Sequence, residues 1–265
     1  MKHSPPTFKP SARVSLLTIS TLILLLTGCL DDVKEQIAAQ LLKIDASNAE
    51  QVASTALDMA EAVDDADDVL DAVVGTGTVN ETVPCNDPAL DPSGSGSATV
   101  TGTDSGSGKD FTVTYNDCTM NGYALNGSLH IMSSTTANVK SGTTTGNLSV
   151  TFNGETFTLS NISVAFTKDD ITKDYSNDFG MTLSTSALPG GSISIDTTTP
   201  FAGNELTIPN NPSTGVMVVT GSQNTKVRLT ANDNTNYSLN ADTDGDDVYD
   251  TQITNQADGT NLFSW

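Results

Sequence analysis

The chain is poor in basic and aromatic residues. Its 265 residues include 11 lysines and arginines against 32 aspartates and glutamates, a formal net charge of −21. A surface of that sign repels phosphate backbones, so we expect no nucleic-acid partner and no polybasic membrane patch. Small cations are its natural partners. Aromatic residues make up 5% of the chain, which predicts a modest core for its length.

Groups suited to catalysis are also scarce. His130 lies between Leu129 and Ile131, and this alternation predicts that its side chain points to the polar face of a strand. No G-x-S-x-G nucleophile motif occurs. Segment 103–110 resembles a phosphate-binding loop but lacks its first glycine and the hydroxyl after the lysine, so we predict a β-connection. We therefore predict that the protein is not an enzyme; a carbohydrate hydrolase using paired carboxylates is the alternative.

No acidic residue precedes Asp31, and no apolar run is long enough to span a membrane. Residues 1–13 carry three basic side chains. Residues 14–26 form an apolar run that is shorter than the roughly 20 residues of a spanning helix. This order of a basic segment and a short apolar run predicts a secretory signal that is removed. Without those three basic side chains, eight remain against 32 acidic ones, a net charge of −24.

The apolar run ends in Leu26-Thr27-Gly28-Cys29. Small residues followed by a cysteine resemble the lipobox of bacterial lipoproteins. The resemblance implies a signal peptide at 1–28, diacylglycerol on the Cys29 sulfur and a palmitate-type acyl chain on the new amino group, which together form a firm membrane anchor. It also implies the outer membrane, with the body in the periplasm or at the cell surface, because Leu30 rather than aspartate follows the cysteine. A transmembrane anchor with an incidental Cys29 is the alternative.

Two further cysteines, Cys85 and Cys118, form an even pair. In an oxidising compartment a disulfide is the first interpretation, and it would close a loop rich in glycine, serine, aspartate and proline. A free thiol pair and a metal-binding pair are the alternatives.

Residues 29–75 are predicted to form an N-terminal helical segment. Residues 31–43 have apolar residues at helical spacing, and Ser47 or Asn48 is suited to cap a second helix that ends near Gly75. One apolar stripe runs along this helix, and we expect it to pack on a β body, with self-association as a coiled coil the alternative. The stripe consists of Val52, Ala56, Met59, Val63, Ala66, Leu70 and Val73.

The remaining sequence predicts a Gly/Ser/Pro-rich loop region at 76–110, with one strand near 97–103, and an antiparallel β domain at 111–265. In the β domain, short alternating runs are separated by polar turns. Asn153-Gly154 predicts a two-residue hairpin that sets Val150 opposite Phe157 and Leu148 opposite Leu159. The apolar phase then shifts, which requires a bulge near 160–161.

The predicted fold is therefore mainly β, with the N-terminal helical segment packed on an antiparallel meander in the form of a curved sheet, half-barrel or sandwich. A curved sheet with helices on its concave side is similar to the lipoprotein-carrier fold of bacterial periplasms.

One acidic constellation lies at residues 242–250. Its order of aspartates resembles the calcium loops of EF-hands and thrombospondin-type repeats. The resemblance implies Asp242, Asp244, Asp246 and Asp250 as ligands of Ca²⁺. Asp247 stands where those loops have glycine, and Ile253 where EF-hands close with a bidentate acid. The alternative is a plain hairpin turn centred on residues 244–245.

These observations support three functional hypotheses. The first is a non-catalytic, lipid-anchored cell-envelope protein that serves as a binding or structural module, with weak calcium binding as an addition. The second is a periplasmic carrier that holds an amphiphilic ligand in a groove between helix and sheet. The third is the hydrolase.

Overall fold

A computed structural model describes the body of the protein and a short part of the segment before it. The described residues are 43–50, 52, 53, 56, 77–85, 94–120, 123–152, 154–185, 191–208 and 211–256. Among them, no helix combines the length and the apolar character needed to cross a bilayer.

The described residues form one sheet of twelve antiparallel strands, in which every strand pairs with its neighbours in sequence. The sheet is not closed, and β1 and β12 are its edges. This confirms the prediction of a mainly β antiparallel meander. The strands are β1 (Gly77–Pro84), β2 (Ser95–Asp104), β3 (Gly108–Met120), β4 (Tyr123–Thr136), β5 (Val139–Phe152), β6 (Glu155–Asp169), β7 (Asp174–Thr185), β8 (Ser192–Asn204), β9 (Thr214–Thr220), β10 (Lys226–Ala231), β11 (Tyr237–Asp242) and β12 (Thr251–Gln256).

The alternation of side chains along each strand gives the sheet an apolar face and a polar face. In β10, Val227 and Leu229 are fully buried, whereas Lys226, Arg228 and Thr230 lie on the opposite face and are half-buried. The buried apolar side chains of β2 to β11 belong to one continuous core on the apolar face. Burial of this face supplies the main stabilising term, at about 25 cal/mol per Å² of apolar surface.

The hairpin between β5 and β6 has the predicted register. Val150 pairs with Phe157 and Leu148 with Leu159, and all four side chains are at most 2% exposed. Gly154 has a φ of 82°, which glycine adopts without strain. The turn residues and the apolar phase thus specify the same register.

The predicted bulge is also present. The pairing of β6 with β7 shifts between Ser160 and Ser163, and Asn161 there has a φ of 54°. The Asn161 backbone amide donates to the Asn147 side-chain oxygen at 2.9 Å on the neighbouring strand. The extra residue brings Ile162 and Val164 back to the apolar face, where both are buried.

The prediction of a loop region at 76–110 is wrong for most of that stretch. Two full strands, β1 and β2, lie within it, so the sheet begins well before residue 111. Its inward residues are small or isolated, such as Ala98 and Val100, and the glycines and serines between them hide the alternation. The strand predicted at 97–103 is confirmed as part of β2.

Only part of the predicted helical segment lies among the described residues. Residues 49, 50, 52, 53 and 56 are helical, and Ala49, Ala53 and Ala56 are buried in the core of the sheet. The Val52 amide donates to the Asn48 carbonyl at 2.9 Å, so the helical turn begins after Asn48. The rest of the apolar stripe and residues 29–42 lie outside the described residues, and the packing of the whole segment stays a prediction.

The meander places its connections alternately at two ends of the sheet. We call one the loop end; it carries the β1–β2, β3–β4, β5–β6, β7–β8, β9–β10 and β11–β12 connections. We call the other the cavity end, because a cavity lies there beside the start of β7 and the end of β8. It carries the connections from β2 to β3, β4 to β5, β6 to β7, β8 to β9 and β10 to β11. The Ile44 amide donates to the Thr225 hydroxyl at 2.9 Å, so the amino-terminal part of the chain joins the sheet at the loop end.

Candidate functional site

The predicted calcium ligands lie in the connection between β11 and β12, here called the acidic loop (residues 242–250). Asp242, Asp244 and Asp246 each offer one carboxylate oxygen, and these oxygens lie within 4.8 Å of one another. The structure thus brings together three of the four predicted residues. Asp250 is described but is not part of this group.

Asp242 organises the acidic loop from inside. Its side chain is fully buried, with one oxygen accepting from the Gly245 amide at 2.7 Å and the other from the Asp247 amide at 2.8 Å. Burial by itself raises the pKa of Asp242, but the backbone amides of the loop that donate to the carboxylate outweigh this and leave the pKa below its ordinary value. Asp242 therefore stays ionised in the folded protein.

The next two aspartates accept hydrogen bonds from amides two residues further on. The Asp246 amide donates to Asp244 at 3.3 Å, and the Val248 amide donates to Asp246 at 2.8 Å. Such Asx turns are a common use of aspartate in tight connections. They curl the backbone so that successive carboxylates face one centre.

Asp247 has the backbone conformation expected at the position where calcium loops have glycine. Its φ is 69°, in the left-handed region that aspartate tolerates better than most residues. Gly245 has a φ of 83°, and a Cβ there would approach the Gln223 carbonyl oxygen to 2.1 Å. At Asp247 the acidic loop therefore differs from the calcium-loop pattern in its side chain but not in its backbone conformation.

The neighbouring β9–β10 connection supports the acidic loop. It contains a short 3₁₀ turn, Ser222–Asn224, from which the Asn224 amide group donates to the Gly245 carbonyl at 3.1 Å. The Lys226 ammonium forms an ion pair with Asp247. Their hydrogen bond raises the pKa of Lys226 and lowers that of Asp247. One of the five acids of the loop is thus neutralised by the protein itself.

These contacts decide what the acidic loop can hold. Calcium takes 6–8 oxygen ligands, whereas the three converging carboxylates bring one oxygen each to the centre. Both oxygens of Asp242 and one each of Asp244 and Asp246 already accept amide hydrogens. Water or oxygens from a partner would have to complete a coordination shell. β11 and β12 pair as an antiparallel hairpin, as the alternative of a hairpin turn centred on residues 244–245 requires, and Ala241 pairs with Thr251 across the connection.

The predicted cysteine pair is brought together at the loop end. Cys85 follows β1 and Cys118 lies in β3; they form a disulfide with their Cα atoms 5.5 Å apart, and both are buried. The predicted lipidation site, Cys29, lies outside the described residues.

The remaining sequence candidates lie on the polar face or in a turn. His130 points to the polar face, as predicted, and its Nε2 lies 2.8 Å from an Asp110 oxygen. Segment 103–110 is the β2–β3 hairpin, in which the Ser105 amide donates to the Gly108 carbonyl at 2.9 Å. This confirms a β-connection there.

Sequence reasoning missed Asn224 and Lys226 as supports of the acidic loop. The sequence alone does not show that the β9–β10 turn lies beside it. The pattern that could have revealed these residues is the register of the β10–β11 hairpin, which sets Lys226 directly across from Asp242. A hairpin aligned on its buried residues would have shown this cation beside the acidic loop.

No protein-family model matches the sequence, and no curated protein is detectably similar to it.

Proposed function

We propose that the protein is a non-catalytic module of the bacterial cell envelope, held at the outer membrane by lipid on Cys29. The observation that carries this proposal is the order of basic segment, short apolar run and Leu26-Thr27-Gly28-Cys29. The body serves as a binding or structural scaffold. Its apolar face is occupied by its own core, and its polar face is available to a partner.

The contact between the amino-terminal segment and the sheet determines near which end of the sheet an anchor on Cys29 would lie. Thirteen residues separate Cys29 from Lys43, a stretch that reaches at most roughly 50 Å when fully extended. Because the Ile44 amide donates to the Thr225 hydroxyl, a lipid anchor on Cys29 would be tethered to the loop end of the sheet. The acidic loop and the Cys85–Cys118 disulfide lie at this same end.

The cysteine chemistry supports export. A buried disulfide between Cys85 and Cys118 suits an oxidising compartment such as the periplasm, and it is rare in the cytosol of mesophiles. The third cysteine, at the predicted cleavage site, remains for lipid. This assigns each of the three cysteines a role that agrees with its position.

The anchor is tested by changing Cys29→Ser in the full chain. The wild type should incorporate an alkyne-labelled palmitate analogue and sediment with membranes, and its amino-terminal peptide should carry the added acyl mass. The variant should lose both the label and the added mass. The matched control, Cys85→Ala with Cys118→Ala, should keep the label, because those sulfurs are not acylated. An unmodified Cys29 in the wild type would refute the anchor.

A second candidate activity is calcium binding by the acidic loop. It is favoured by the convergence of Asp242, Asp244 and Asp246 within 4.8 Å and by the left-handed backbone at Asp247. Because the loop itself supplies fewer oxygens than calcium prefers, the expected affinity is weak, in the millimolar range typical of extracellular modules.

The calcium site is tested by thermal unfolding with millimolar Ca²⁺ or with a chelator. Calcium should raise the Tm of the wild type, because an ion that binds only the folded state stabilises it. Asp244→Asn should abolish this rise. The control is Asp170→Asn, an exposed acid of the β6–β7 turn, which should leave the rise unchanged. Identical curves with calcium and chelator would end this candidate.

A further inference from the structure

A cavity lies at the cavity end of the sheet, beside β7 and β8, whereas the acidic loop lies at the opposite end, between β11 and β12. Its volume is about 350 Å³, and its walls include Asp174, Tyr175, Asn204, Thr207 and Ser213. That volume falls within the range of small-molecule sites in proteins. The lining comes from the start of β7, the end of β8 and the turns beside them.

Asp174 is the charged group of the cavity. One of its oxygens accepts from the Asn204 amide group at 2.7 Å and the other from the Thr172 hydroxyl at 2.8 Å. These hydrogen bonds lower the pKa of Asp174, and the one from Asn204 has the larger effect. The carboxyl group of Asp174 is therefore ionised. Both donors are neutral, and no basic residue lines the described walls. The carboxylate therefore carries an uncompensated negative charge with lone pairs to spare.

Three of the neighbouring polar side chains direct their hydrogens into the protein, while Asn234 also lines the cavity. Thr207 donates its hydroxyl to the Asn204 carbonyl at 2.7 Å, and Ser213 donates to the Ala202 carbonyl at 3.2 Å. Asn204 uses its amide hydrogens on Asp174 and on the Thr172 carbonyl at 2.8 Å. What these groups offer to a ligand is mainly acceptor oxygen.

An aromatic ring adds an apolar surface. Tyr175 pairs with Gly203 across the β7–β8 ladder, and a Cβ at Gly203 would come within 2.5 Å of the phenol oxygen. Glycine at this position therefore lets the ring lie across the strand. Burial, together with the charge of Glu205, raises the pKa of Tyr175 to about 12, so the phenol stays neutral.

We propose that this cavity binds a primary alkylammonium group, with the nitrogen at Asp174 and the carbon chain along Tyr175. An ammonium group has three donors and no acceptor, which complements a wall of acceptors around one carboxylate. The ring face also attracts cations. An anion would find no counter-charge there, and a calcium ion would find one carboxylate instead of several. The group belongs either to a free alkyl diamine or to a lysine side chain.

The test is calorimetric titration of the full chain in detergent with 1,4-diaminobutane, and separately with Nα-acetyl-lysine amide. Saturable binding of either probe is expected, and the probe that binds more tightly identifies the source. The neutral analogue 1,4-butanediol should not bind. Asp174→Asn keeps the shape and removes the charge, so it should weaken binding at least tenfold, the scale of one charge-assisted hydrogen bond.

The matched control is Asp170→Asn, which removes the same charge from the adjoining β6–β7 turn and should leave the affinity unchanged. Asp174→Asn also loses hydrogen bonds from Asn204 and Thr172, so its Tm should be somewhat lower than that of the wild type. Both variants should still unfold cooperatively and well above the titration temperature, so that a loss of binding is not a loss of folding. Absence of saturable binding by both probes, equal binding of butanediol, or an equal loss in the Asp170→Asn variant would each overturn the proposal.

Discussion

The loop end and the cavity end of the sheet use the same residue types in different ways. At the loop end, Asp242 is buried and bonded to backbone amides, Lys226 neutralises Asp247, and the disulfide joins β1 to β3. At the cavity end, Asp174 is exposed and accepts from a neutral amide and a hydroxyl. Carboxylates bonded to backbone amides hold a loop in shape, whereas a carboxylate bonded to side chains at a cavity wall remains available to a ligand.

The largest expected effect is at the disulfide, the covalent brace of the loop end. It joins residues separated by 33 positions, and its loss should lower the free energy of unfolding by about 3–4 kcal/mol in the chain-entropy account. Guanidinium unfolding of the Cys85→Ala, Cys118→Ala variant measures this. Wild type under reducing conditions serves as the control and should show a similar loss. A loss of less than about 1 kcal/mol would mean that the loop end does not depend on the bond.

A smaller effect is expected from Asp242→Asn. The variant places an amide group against backbone donors of its own loop and removes the charge, so the Tm should fall by roughly 5 °C at neutral pH. Because the pKa of Asp242 is lowered by folding, its stabilisation is present above the unfolded pKa. It disappears as the pH falls through the folded pKa.

The difference in Tm between this variant and the wild type should therefore shrink on acidification below about pH 4. Asp250→Asn in the same loop is the control, and its Tm should stay near that of the wild type, because Asp250 lies outside the carboxylate group. An equal shift in both variants would show that the loop responds to total charge and not to the bonds of Asp242.

The cavity end offers a counterpart in Asp233, which closes the β10–β11 turn. It accepts from the Asn236 side chain and from the Thr235 hydroxyl and amide, and these bonds lower its pKa to about 2. The Asp233→Asn variant should have a lower Tm than the wild type at pH 7. That difference should close between about pH 4 and pH 2, since the stabilisation is lost as the pH falls through the folded pKa. Melting curves across this pH range measure it. A difference independent of pH would show that the charge has no part in holding the turn.

How much of the fold and of the candidate site can be predicted from the sequence depends on how close together in the chain the residues of each pattern lie. The β5–β6 hairpin was predicted in full because Asn153-Gly154 and the apolar residues on both sides of it specify the same register. The strands β1 and β2 were largely missed because their inward positions hold small residues such as Ala98 among glycines and serines. An edge of the sheet needs less apolar surface than its centre, so its pattern is weaker.

The acidic loop was found because its five aspartates lie within nine consecutive residues, but its supports were not. Asn224 belongs to the β9–β10 connection and Lys226 begins β10. Only the β10–β11 register shows that these residues lie beside the acidic loop. The cavity was invisible for the same reason. Asp174, Thr207 and Ser213 come from different strands and turns and form no motif, so they meet only once the sheet is assembled.

The smallest expected effect concerns the Lys168–Glu205 ion pair, which links the end of β6 to the β8–β9 connection at the cavity end. The charged atoms lie 2.6 Å apart, and the side chains are 40% and 31% exposed. Exposed pairs gain little because water screens them and two long side chains must be fixed. A double-mutant cycle with Lys168→Met and Glu205→Gln should give a coupling free energy of about 0.5 kcal/mol, falling further in high salt. A coupling several times larger, unaffected by salt, would mean that the cavity end is braced as firmly as the loop end and would remove the contrast between them.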